Sequence, residues 1–177
     1  MAKGCLSKLK GNITVTCSVE NLGVAGLYLM YPEDVTFSFT PSDENRSITG
    51  VSFAKDAKSY FIEGYKQNIQ VTTAMRSLDA SARLDVSIMF KIPGNSRLLS
   101  SQFLNGTFYV LEIPNNPSSA FNLWGINCPL VCSNWEYDSN TNNRLATVTL
   151  TAPDGSAGNN LITCPQSVKD SIIAKSV

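Results

Sequence analysis

The stretch Arg83-Leu84-Asp85-Val86-Ser87-Ile88-Met89-Phe90-Lys91-Ile92 alternates apolar and polar side chains along its whole length. Leu84, Val86, Ile88, Phe90 and Ile92 fall on one side, and Arg83, Asp85, Ser87, Met89 and Lys91 on the other. A side-chain period of two marks a half-buried antiparallel strand. Upstream, Lys66–Arg76 keeps the same rhythm, with Ile69, Val71, Thr73 and Met75 opposite Gln70, Thr72, Ala74 and Arg76. Asp79-Ala80-Ser81 lies between the two runs and turns one into the other, so the pair reads as one long hairpin.

Working outward, the same pattern predicts strands at Ile13–Val19, Val35–Phe39, Ile48–Phe53, Ala57–Tyr65, Thr107–Ile113, Ala120–Ile126, Leu130–Tyr137 and Leu145–Ala152. Ile48–Phe53 and Ala57–Tyr65 read as a pair separated by Lys55-Asp56. Leu27–Tyr31 is an uninterrupted apolar run ended by Pro32. One segment breaks the β rhythm. Ser96 is a good N-cap for a helix over Arg97–Leu104, Leu99 and Phe103 share a face, and Asn105-Gly106 offers a left-handed end. Ser167–Lys175, after Pro165, reads as a short helix or an arm. About ten strands with one short flanking helix predict a mainly β fold, an antiparallel β-sandwich or barrel.

The 177 residues fit a single β-sandwich domain, since domains commonly hold roughly 100–200. The 43% hydrophobic content supports a packed core, whereas the 16% charged content is below the usual ~25%. Fourteen Lys and Arg balance fourteen Asp and Glu. Dedicated nucleic-acid binding draws on a basic surplus that displaces phosphate counterions, and that surplus is absent. Weak net repulsion favours association instead. No run reaches the ~18 apolar residues of a membrane span, so no membrane partner is expected. The first residues show no secretory leader, and folding in a reducing cytoplasm with free thiols is expected.

The chemistry-bearing residues are sparse. Histidine is absent, which removes the usual general base, metal ligand and neutral-pH switch. Cys128 and Cys132 form the best thiol pair, but four residues of extended chain separate them by about 13 Å, too far to share an ion without a bend. Cys5, Cys17 and Cys164 complete an odd, irregular set that reads as buried free thiols. Glu33-Asp34 and Asp43-Glu44 are adjacent carboxylates that point to opposite faces if extended. Asp138–Asn143 is oxygen-rich but lacks the glycine and closing glutamate of a calcium loop. No catalytic, metal or cofactor residue is therefore assigned. Trp124, Trp135, Tyr109 and Phe121 allow a sugar-stacking platform, although strand aromatics more often fill a core.

The order of segments carries a resemblance. It runs from Gly26–Val35 through the hairpin Gln67–Arg76 and Arg83–Ile92, the helix Arg97–Leu104 and Phe108–Asn116. It continues through Phe121–Gly125 and Asn134–Ser139 to Ala146–Asp154. This order resembles the tail-tube and tail-hub proteins of tailed bacteriophages, with a similar overall character in crAss-like phage virions. The resemblance implies a β-sandwich flanked by a helix, with copies arranged as a ring. Neighbouring hairpins would join into an inner barrel around a channel for DNA ejection. It also implies a virion location after assembly in the bacterial host cytoplasm, and contacts with other tail or connector proteins.

Within that expectation, Gln67, Gln70, Thr72, Arg83, Asp85 and Ser87 are the candidates for inter-subunit contact and channel lining. They are mixed, near neutral and mostly hydrogen-bonding, so DNA would pass without sequence-specific contacts. Terminal arms, residues 1–10 and 160–177, are expected to meet neighbouring rings. The alternative reading is a carbohydrate- or receptor-binding β-sandwich module. A hydrolase with two convergent carboxylates is a third class.

Overall fold

A computed structural model describes residues 23–40, 47–64, 68–78, 81–94, 96–115, 120–137, 139–140, 144–153 and 162–177, with the backbone alone at 75–78 and 81–83. The strands are β1 (Val24–Met30), β2 (Val35–Phe39), β3 (Ile48–Phe53), β4 (Tyr60–Glu63), β5 (Ile69–Leu78), β6 (Ser81–Pro93), β7 (Thr107–Pro114), β8 (Phe121–Trp124), β9 (Leu130–Tyr137), β10 (Leu145–Thr151) and β11 (Ile162–Cys164). The helices are α1 (Arg97–Leu104) and α2 (Gln166–Ile173), and a 3-10 turn spans Pro32–Asp34. The fold is mainly antiparallel β, as the alternating pattern predicts, with two short helices among the described residues. The expected strand Ile13–Val19 and residues 1–10 lie outside the described residues.

Two layers share the main core. One runs β4-β1-β7-β8-β11, and the other runs β9-β10-β6-β5. Leu27, Leu29, Ile62, Phe108, Val110 and Trp124 from the first pack against Val86, Ile88, Phe90, Ile92, Val148 and Leu150 from the second. Each such fully buried side chain contributes about 1.5–3 kcal/mol relative to exposure. The opposite face of the first layer is also covered. Met30, Leu111 and Leu123 meet Val35 and Ile48 of the β2–β3 hairpin and Val168 and Ile172 of α2. β1 is thus buried on both faces. That is the physical reason Leu27–Tyr31 reads as an unbroken apolar run rather than an alternation.

The two layers meet at a corner made by β7, β8 and β9. β8 pairs Trp124 with Val110, and β9 pairs Leu130 with Phe108. The chain advances six residues on one side for two on the other, so four extra residues bulge out. Gly125 begins that excursion at φ 90°, and a Cβ there would sit 2.7 Å from the Phe108 carbonyl oxygen. Only glycine fits both the left-handed turn and the close approach.

α1 closes one end of the sandwich. The Ser96 hydroxyl accepts from the Leu99 N–H at 3.0 Å, as the N-cap expectation requires. Phe103 is fully buried and packs on Phe90, Phe108 and Trp135 with ring centroids 5.7–5.9 Å apart.

Three expectations need correction. The helix does not end in a left-handed residue. Asn105 sits at φ −105°, and its N–H bonds to the Ser101 carbonyl at 3.2 Å. Gly106 serves instead by omitting a Cβ that would clash with the Gln102 carbonyl and the Phe108 ring. β3 and β4 do not pair, because β3 belongs to the outer hairpin with β2 while Ile62 of β4 enters the main core. Finally, residues 162–177 are not an extended arm. They form β11 and α2, and Val168 and Ile172 are buried against their own subunit.

Candidate functional site

The β5–β6 hairpin pairs without a bulge from Ile69–Phe90 to Leu78–Ser81. Antiparallel pairs alternate between hydrogen-bonded and non-bonded positions. The Lys91 N–H donates to the Asn68 carbonyl at 3.1 Å, which fixes that alternation. Gln70, Thr72, Ala74 and Arg76 therefore exchange ladder bonds with Met89, Ser87, Asp85 and Arg83. Ile69, Val71, Thr73, Met75 and Ser77 turn their N–H and C=O groups away from β6. On the far side of β6 the Gly94 N–H meets the Arg144 carbonyl at 3.4 Å, so even-numbered β6 residues bond to β10, as the same alternation demands.

β6 is thus paired on both sides, whereas β5 has one strand partner among the described residues. β5 also outruns the core. Ile69 is buried and Val71 half-buried, but Thr72, Thr73 and Ala74 are exposed on both faces of the strand.

The structure brings four of the six expected residues together. Gln70, Thr72, Asp85 and Ser87 share the outer face of the hairpin, and Thr72 and Ser87 are direct cross-strand partners. Arg83 occupies a register position on that face, opposite Arg76. Gln67 lies outside the described residues. Sequence reasoning stopped at the hairpin, yet the face continues. Gln70 and Met89 lead to Thr149 and Asn134, and Lys91 leads to Thr147 and Glu136. The signal was present in the alternation of Leu145–Ala152. What the sequence lacked was the register that places β10 beside β6.

The other candidate residues do not converge. Trp124 is 2% exposed, and its indole N–H donates to the Glu112 carboxylate at 2.9 Å. The Asn122 amide reaches the same oxygen at 3.2 Å. Trp135 is half-buried against Phe103. Tyr109 and Phe121 belong to the second core, on the opposite face of their layer, where Tyr109 meets Phe37 edge-on and Phe121 lies under the Lys169 ammonium. Two separate cores thus divide the four aromatics that a sugar platform would need side by side.

Cys128, Cys132 and Cys164 are free thiols. Burial pushes the Cys132 thiol up, partly offset by a backbone hydrogen bond from Asn134, and burial pushes Cys164 up to about 11. Both are therefore poor nucleophiles at neutral pH. Among the described residues no group of three or more Cys, Asp or Glu could hold a metal ion. Asp43-Glu44, Asp138 and residues 141–143 lie outside the described residues. No helix among them is long and apolar enough to cross a membrane.

No protein-family model matches the chain, and neither does any curated protein or solved structure.

Proposed function

We propose that this chain is a non-enzymatic virion structural protein whose copies join into a ring of the tail tube, tail hub or connector and form part of a DNA channel. One observation carries the reading: the β5 edge. It is a long, regular strand with polar backbone groups directed away from its single described strand partner, and it runs past the core beneath it. Such an edge invites pairing with another chain, and a solitary fold ordinarily blunts it with a bulge, a proline or a covering segment. The β5–β6 register contains no bulge, and β5 contains no proline. Closing a ring pairs these edges between identical subunits and removes the liability.

The composition supports the same reading. A chain of zero formal charge has little repulsion to oppose self-association. The outer face mixes the hydrogen-bonding Gln70, Thr72 and Ser87 with Asp85 and Glu136 and with Lys91 and the register positions of Arg76 and Arg83, and this interspersed charge suits a wall that DNA slides along with few counterions displaced. The assignment to a tail, with other tail or connector proteins as neighbours, rests on the resemblance in segment order.

The test is the molar mass in solution and the particle shape by electron microscopy. Concentration-dependent assembly into annular particles is the expected result. A strictly monomeric species at high concentration, without rings on the grid, overturns the proposal.

A further inference from the structure

A ring dictates what kind of partner the β5 edge takes. Pairing of one β5 with another is isologous and stops at a two-fold pair, whereas a ring repeats a contact between two different surfaces. The strand that meets β5 therefore comes from another part of the neighbouring copy, and it has to match a long edge. β5 spans Ile69–Leu78 without a bulge against β6. The described strands with an open side match it poorly. β11 has three residues and β4 four. β2 has five and β3 six, and their pairing shifts register between Ser38 and Phe39. β9 is longer, but β7 takes its start and its pairing with β10 shifts between Thr149 and Leu150.

Ile13–Val19, outside the described residues, has the length and the composition. Ile13, Thr14, Val15, Thr16 and Val19 are β-branched, and the run holds neither glycine nor proline, so it favours a strand. It has no place beside β1, which β4 and β7 already flank, and Gly23 at φ 97° turns the chain just before β1.

The rows of side chains agree as well. All pairs between the described strands are antiparallel. Residues directly opposite in such a pair share a face. With Ile13, Val15, Cys17 and Val19 opposite odd-numbered β5 residues, the apolar row continues the buried Ile69 and the half-buried Val71, both on the main core. Thr14, Thr16, Ser18 and Glu20 then extend the polar face of Gln70 and Thr72. A slip of one residue would reverse both rows. In this register the N–H groups of residues 13, 15, 17 and 19 point at β5, because the odd-numbered β5 residues are those that bond outward.

We propose that Ile13–Val19 of one copy is the strand that completes the β5 edge of the next. The inference rests on the reading that β5 pairs with a second copy. Donor and acceptor are different surfaces, so each copy gives one strand and receives one, and the contact repeats around a ring.

Cys17 supplies the probe, since it lies in the middle of the donor. Val71→Cys, Thr73→Cys and Met75→Cys each place a second thiol on the β5 row that it faces. Direct antiparallel partners fall within the roughly 4.4–6.8 Å Cα separation that a disulfide spans. The assembled full-length variants are oxidised with copper phenanthroline and separated on a non-reducing gel, with oxidised wild type as the control for the natural cysteines. One variant is expected to give a ladder of covalent multimers that Cys17→Ser removes. A ladder that persists with Cys17→Ser, or no crosslink at any of the three positions, overturns the donor. A Cys17 crosslink within one monomer overturns the donor and the β5 reading together, because β5 is then completed by its own chain.

Assembly without oxidant separates the two ideas. Val15→Pro removes an N–H directed at β5, and Thr16→Pro removes one directed away, so rings are expected to be lost with the first and kept with the second. Rings that survive Val15→Pro but not Thr73→Pro overturn the donor and leave the β5 reading standing. Rings that survive Thr73→Pro, or that form from no variant and not from wild type, overturn both.

Discussion

Thr73 and Val86 are cross-strand partners on the same face of the hairpin, yet Val86 is 2% exposed and Thr73 is open to solvent. The core therefore ends beneath β6, and β5 projects beyond it. A strand that no second-layer strand covers among the described residues contributes little burial to its own subunit, which is the physical ground for the pairing proposed above.

Proline at two adjacent positions reports on the two sides of β5. The Thr73 N–H points away from β6, so Thr73→Pro should leave the monomer fold intact, because edge strands accept proline on their outward side. The Thr72 N–H bonds toward Ser87, so Thr72→Pro should destabilise the monomer by about 1–3 kcal/mol through a lost ladder bond and an unsatisfied acceptor. Urea unfolding of both variants distinguishes these outcomes. Equal destabilisation would mean that the inferred alternation along β5 is wrong.

Phe103 and Ser96 test the closure by α1. Phe103→Ala leaves a cavity among Phe90, Phe108 and Trp135 and should cost about 3–5 kcal/mol. Ser96→Ala removes one capping bond and should cost about 1 kcal/mol. Calorimetry of both variants gives the ordering, and a larger loss from the cap than from the core would contradict this packing.

Gly125→Ala should destabilise more than an ordinary surface change, by roughly 1–3 kcal/mol, because the residue stays in a left-handed conformation and its methyl group meets the Phe108 carbonyl. Gly94→Ala shares the positive φ but has open space around its Cβ. The difference between the two variants isolates the contribution of the close approach at the corner. Identical losses would assign the whole effect to backbone conformation.

Cys164 gives the fold an alkaline limit. Its thiol ionises near pH 9 in an unpacked chain and near 11 in the fold, chiefly because burial disfavours the thiolate. Between those values the unfolded chain has released a proton that the native state still holds, so stability falls as pH rises through this window and is intact below it. Cys164→Ala lacks that component. The wild-type advantage over the variant should shrink by on the order of 2 kcal/mol between pH 8.5 and 11. Denaturation across that range measures it, and a gap that stays constant with pH would show that the thiol is not held protonated.

Local chemistry was legible where a single side-chain pattern sufficed. The inward set Val86, Ile88, Phe90 and Ile92, the outward set Gln70, Thr72, Asp85 and Ser87, and the Ser96-capped helix follow from periodicity and cap geometry alone. Asn105 shows where such reasoning ends. A good left-handed cap residue was available, but the close packing of Gly106 on Phe108 decided the helix end.

The sequence by itself determined which residues alternate, which face of each strand is apolar, and where the helix at 97–104 begins. Tertiary structure alone decided partners and boundaries: that β3 joins β2 rather than β4, that β1 is covered on both sides, and that the core stops before Thr73. The physical reason is range. Side-chain direction is set within two to four residues, whereas strand pairing is chosen by packing between segments far apart in the chain, and the entropy of closing a loop rises too slowly with its length for spacing to select the partner.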